Sequence, residues 1–289
     1  MATTKIDFDQ IETGLPTGGD VDYNNVELLL AGEGSNGSTS FLDDSKNGTS
    51  IGVNGTVSIT TSVGKWGSSS INFQSGNSAL TFAKNSAVTI GTEDFTMEAW
   101  IRPSSYGEGG AGEYHMPFIL LGGYFHTASD SKVNYIWEYN YGDSSGSVQK
   151  FVFGSKPSGS LSYPQAISPQ TTLTLNTWHH VAVTRTNNTI QMFLDGNRIH
   201  TDTSQNWSSI DMDFALSTGG AFYVGKSSGG GYFDQVTWNF RGYMNDIRIT
   251  KGVARYTSDF STPSSKFEAF RGSVGKSLVI SSDENVTLQ

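Results

Sequence analysis

The chain has 289 residues, a net charge of −9, 36% apolar and 12% aromatic residues, and no cysteine. That length fits one large β domain or two small ones, and the missing cysteines exclude disulfides and thiolate metal sites. The acidic balance, with only scattered single bases such as Lys5, Lys65 and Lys84, excludes the clustered cations that nucleic-acid binding needs, and no run of about 18 apolar residues suggests membrane insertion.

Residues 1–25 read as an arm. Ile6-Asp7-Phe8-Asp9 follows the start without an apolar stretch, so no secretory leader is expected. Gly14 to Gly19 is a flexible break, and Asp20-Val21-Asp22-Tyr23-Asn24-Asn25 is too polar to pack alone. Val26-Glu27-Leu28-Leu29-Leu30 predicts a strand buried on both faces, followed by a Gly/Ser/Asp/Asn loop to Gly48. Short strands are then predicted at Val57–Thr60, Ser70–Phe73, Ala79–Phe82, Phe95–Ile101, Phe118–Leu121, Asn134–Tyr141 and Lys150–Gly154. Others follow at His180–Thr184, Thr189–Leu194, Ala221–Gly225 and Met244–Thr250, and Lys251–Tyr256 allows one helical turn at most. Two alternating runs joined by Thr186-Asn187-Asn188 and closed by Asp195-Gly196 mark a hairpin. The tail, 271–289, holds Leu278-Val279-Ile280, an apolar stretch that needs an edge to pair with, on a neighbour or on its own sandwich. The whole predicts an all-β fold: a two-sheet antiparallel jelly-roll sandwich over 26–270 with extended terminal arms at 1–25 and 271–289.

Three separated stretches carry a resemblance. Phe95-Thr96-Met97-Glu98-Ala99-Trp100-Ile101, Trp178 to Arg185 with Phe193-Leu194-Asp195-Gly196, and Phe240 to Ile249 resemble the laminin-G-like branch of the concanavalin A-like lectin/glucanase family. Thr250-Lys251-Gly252-Val253-Ala254-Arg255-Tyr256 resembles a continuation frequent in phage virion members. The resemblance implies a binding or structural module. Tyr106–Met116 and Asp234–Trp238 depart from it as loop insertions.

Hydrolases of this fold carry "E-x-D-x-x-E" on one strand, placing alternate carboxylates together. Glu98 has no acidic residue two positions away, so no enzymatic activity is expected and Glu98 reads as a hydrogen-bonded strand acid or a solvent-face residue. His179 and His180 are adjacent on a strand and point apart, so they do not chelate one ion together. No cofactor is expected, although Asp43-Asp44 and Asp211/Asp213 are loop acids of the type that holds calcium at the rim in some relatives. Val133, Tyr135, Trp137, Tyr139 and Tyr141 share one face. Burying such a ring contributes roughly 2–3 kcal/mol, against about 1 kcal/mol for stacking on a sugar, which favours a core role. Tyr106, Tyr114, Tyr232, Phe233 and Trp238 sit among glycines instead, and exposure there suggests contact with a partner or glycan. The expected role is a phage-like virion structural protein, a head decoration or tail-fibre subunit. It would associate as a homo-oligomer, bind other virion subunits through both termini, and adhere to host-surface glycan. A secreted or cell-surface carbohydrate-binding lectin is the alternative.

Overall fold

The computed structural model describes residues 19–67, 69–73, 78–83, 88–106, 114–122, 133–142, 148–156, 164–212, 221–226 and 238–269. Their strands, in chain order, are β1 (Val26–Leu30), β2 (Gly52–Asn54), β3 (Ser58–Thr60), β4 (Ser70–Phe73), β5 (Ala79–Ala83), β6 (Phe95–Pro103), β7 (Tyr114–Gly122) and β8 (Val133–Gly142). β9 (Lys150–Lys156), β10 (Gln165–Ile167), β11 (His179–Thr186), β12 (Thr189–Leu194), β13 (Asn197–Asp202), β14 (Ala221–Val224) and β15 (Gly242–Lys251) complete them. They form two antiparallel sheets. The first runs β13-β12-β11-β6-β15-β4-β3, with β1 also paired to β15, and the second runs β10-β9-β8-β7-β14-β5-β2.

Alternation explains the layering. Phe95, Met97, Ala99 and Ile101 of β6, Val181 and Val183 of β11, and Ile247 and Ile249 of β15 turn inward and meet Tyr135, Trp137 and Tyr139 of β8 and Phe151 and Phe153 of β9 in one core. Phe95 and Phe153 touch across the sheets at 5.3 Å. The aromatic stripe therefore lies in the core at its three described side chains; those of Val133 and Tyr141 lie outside the described residues.

Turn chemistry sets the hairpins. Asp195 (φ +50°) and Gly196 (φ +80°) are both left-handed, the two-residue turn whose twist matches a hairpin. A side chain at 196 would also clash with the Phe260 carbonyl. Arg185, at the end of the tryptophan strand, is fully buried and donates to the carbonyls of Gly91, Glu93, Trp207 and Ile210, so one guanidinium ties two loops to β11.

One expectation needs correction, and three features are added to the others. Residues 20–25, assigned to the arm, pack on the sandwich: Asp20 is buried, and Tyr23 joins Val26, Leu29 and Phe267 in a small apolar cluster. No helical turn forms over 251–256, because Lys251 still belongs to β15 and the side chains that follow bond back to the sheet. β2, β10 and β13 are additional edge strands. The outward face of the first sheet is roofed by residues 253–267: Thr96 donates to the Val253 carbonyl, Thr184 to that of Tyr256, and the Phe260 amide to Gly196. Residues 1–18 and the tail 271–289 lie outside the described residues.

Candidate functional site

Each sheet has a face turned away from the core, and the two differ. On the first, Glu98 of β6 lies between Met97 and Ala99 and so points outward, yet it is wholly buried under the roof. Arg248 of β15 donates twice to its Oε1, at 2.8 and 2.7 Å, and the Tyr256 hydroxyl donates to Oε2 at 2.7 Å. His180 Nε2 stands 3.2 Å from the same Oε2. Arg248 also donates to Asp20 at 2.8 Å, and Arg255 clasps Asp20 with two bonds of 2.9 and 2.7 Å. Two carboxylates thus meet two guanidiniums, which is how a buried charge cluster remains tolerable. Burial alone raises the Glu98 pKa, but Arg248 and the His180 hydrogen bond outweigh it and hold the acid well below the usual carboxylate range. Glu98 is the hydrogen-bonded strand acid rather than a solvent-face residue.

Beside it, Asp246 sits on a β-bulge of β15 with φ +47° and is fully buried. Trp66 Nε1 donates to its Oδ2. Burial pushes its pKa up to about 7 against the lowering effects of Trp66, the Phe267 amide and Arg248.

The second sheet's outward face is built from residues that alternate with the core. His115 and Pro117 flank Met116 on β7, Glu138 lies between Trp137 and Tyr139 on β8, and Tyr223 lies between Phe222 and Val224 on β14. His115 Nδ1 stands 2.9 Å from Glu138 Oε1, with both side chains buried. Trp238 lies over the histidine, ring centroids 4.3 Å apart and planes at 37°. An isolated bridge, Lys226 to Asn239, brings the chain into that position. Tyr223 is half-buried opposite Thr81 of β5. On this face the histidine, the carboxylate and the tryptophan are buried together, and Tyr223 is the more exposed side chain beside them.

Of the five sequence-predicted contact residues, Trp238 is only 5% exposed, because it packs on His115 rather than standing free on a loop. Tyr106 is half-buried against the core and its hydroxyl donates to the Leu173 carbonyl at 3.0 Å. Both correct the expectation of exposed rings. The side chain of Tyr114, and Tyr232 and Phe233 altogether, lie outside the described residues. His115, Glu138 and Tyr223 were missed, although an acid between Trp137 and Tyr139, and a tyrosine between Phe222 and Val224, are the pattern that places them outward.

The calcium candidates divide. Asp43 accepts amides from Leu29 and Ser45 on Oδ1 and from Thr49 on Oδ2, so both of its oxygens staple a loop. Asp44 lines a small cleft, Asp211 is exposed, and Asp213 lies outside the described residues. His179 pairs with Asp195 at 2.7 Å and His180 with Glu98, so each histidine serves its own acid.

A profile of the concanavalin A-like lectin/glucanases superfamily matches residues 74–254. Among solved structures, the chain is similar to the binding domain of Paraclostridial Mosquitocidal Protein 1, with a TM-score of 0.52 and 16% identity, covering 81% of this chain and 50% of that one. It is also similar to the enzymatically active domain of bacteriophage CBA120 tailspike protein 2, with a TM-score of 0.50 and 15% identity, covering 81% of this chain and 31% of that one. The chain spans half or less of either structure, and at such identity the likeness is one of fold. No curated protein matches it. With more than half of its length matched and two facing antiparallel sheets enclosing one core, the chain belongs to the concanavalin A-like lectin/glucanases superfamily.

Proposed function

We propose that this chain is a structural subunit of a phage-like particle that displays its sandwich to bind surface glycan without chemically altering it. One observation carries the reading: the two outward faces are on opposite sides of the core and are differently finished. The first is closed by the chain's own flanking segments, and residues 19–21 and 263–268 border a single cleft over Arg248 there. The second presents the half-buried Tyr223 beside the buried group of His115, Glu138 and Trp238. A sandwich tethered on one side and recognising on the other fits a display module. Glu98, ionised and enclosed by Arg248, Tyr256 and His180, is spent on the fold, which leaves binding as the role this reading assigns.

Two measurements test it. On a glycan array the full chain is expected to retain specific glycans, and Tyr223→Ala to weaken them about 5-fold, the loss of one stacking contact, without change in melting temperature. Retention of no glycan, or binding indifferent to Tyr223→Ala, would overturn the glycan role. Deleting 1–18 and 270–289 is expected to abolish co-purification with particles. Glycan binding with particle attachment unaffected by that deletion would favour a secreted or surface lectin.

A further inference from the structure

The region around the cleft has features that a tether alone does not require. The larger cleft, about 390 Å³, is walled by Gly19, Asp20 and Val21 on one side and by Pro263 to Glu268 on the other, with Arg248 as its floor. A second, of about 100 Å³, is lined by Leu30, Glu33, Phe41, Leu42 and Asp44 among others. Lys266 Nζ reaches Glu33 Oε1 at 2.9 Å and so bridges the two. Four large apolar side chains are exposed among the described residues, and the two most exposed, Leu42 (71%) and Val21 (58%), edge these clefts. Beneath them the surface is firm: Phe267 is buried with Val26 and Leu29, and Arg248 lies 3.7 Å from its ring.

We propose that the two clefts flanking the Lys266–Glu33 ion pair, edged by Val21 and Leu42, form a self-complementary contact for a second copy of this chain. Three features favour a like copy over another occupant. The patch carries both signs, Lys266 against Glu33, Asp44 and Glu268, so a two-fold arrangement sets cation on anion, where a single-sign patch would repel itself. The bridging ion pair is half-exposed on both sides and therefore weakly held, free to exchange for the equivalent pair across an interface. Eighteen residues precede Gly19 and twenty follow Ala269, and Gly19 and Glu268 line the same cleft, so a contact here brings those points of both copies together. The inference rests on the display reading above and names the surface through which displayed copies associate.

The test uses the full chain in light scattering and sedimentation at micromolar concentration. The expected mass is twice 31.2 kDa, falling to 31.2 kDa for Leu42→Glu and for Val21→Glu, with circular dichroism unchanged. Lys266→Glu is expected to dissociate the dimer with circular dichroism and melting temperature unchanged, and the double variant Lys266→Glu/Glu33→Lys to restore it. A monomeric full chain, or an oligomer whose mass none of these variants alters, overturns the proposal. A monomer that still binds glycan overturns it alone and leaves the display reading standing.

Discussion

Glu98 shows how a residue type that suggests catalysis serves structure. Replacing it by alanine would leave Arg248 buried with Asp20 as its remaining carboxylate partner, and removing one partner of a buried ion pair costs about 3–5 kcal/mol. Glu98→Ala is therefore expected to unfold at much lower urea, as read by tryptophan fluorescence. Asp246 works in the opposite direction. Its folded pKa, about 7, lies above the ordinary 3.8, so the folded state keeps a proton that the unfolded chain loses. That contribution is complete below about pH 4 and disappears as pH rises to about 7. Glu98, held low, contributes above its ordinary 4.5 and loses that contribution on acidification. Asp246→Asn keeps an acceptor for Trp66 and tolerates the left-handed backbone. It is expected to remove a fall of roughly 3 kcal/mol between pH 5 and pH 8, measured by urea denaturation at both values. An unchanged profile would mean that Asp246 does not hold the proton.

Strands and turns obey local rules more openly than the charge cluster does. The Asp195–Gly196 turn joins β12 to β13 and lies directly under the roof. Gly196→Ala would force both a left-handed alanine and a clash with the Phe260 carbonyl, for an expected loss of at least about 2 kcal/mol in chemical denaturation. Long strands such as β6, β8, β11, β12 and β15 were legible because apolar side chains at every second position point one way. β2 and β10 span three residues each, too few to show a period, and Asn197-Arg198-Ile199-His200-Thr201-Asp202 of β13 has a single apolar residue because it lies at an edge. The roof was invisible for another reason. Its partners Asp20, Glu98, Arg248 and Arg255 come from distant parts of the chain, and no window of sequence contains them together. Trp238 failed likewise: its burial depends on His115, more than a hundred residues earlier. Glu138 carries a readable signal, an acid wedged between the core aromatics Trp137 and Tyr139, whereas its partner His115, beside Met116 on another strand, carries none.

At the scale of the molecule, the sandwich is closed by its own chain on one side, and the described strands, core and roof fall between residues 19 and 269. A protein comprising only 19–269 is expected to unfold cooperatively in calorimetry, within a few degrees of the full chain; a broad, early transition would show that the flanks supply part of the core. Gly19, the first residue of that unit, and Glu268, next to its last, line the same cleft, so entry and exit lie side by side. Such a module is portable. Spliced into an exposed turn of an unrelated host through short linkers, it would sit like a bead on a closed loop, straining neither parent and carrying its outward-facing sheet wherever the host is placed.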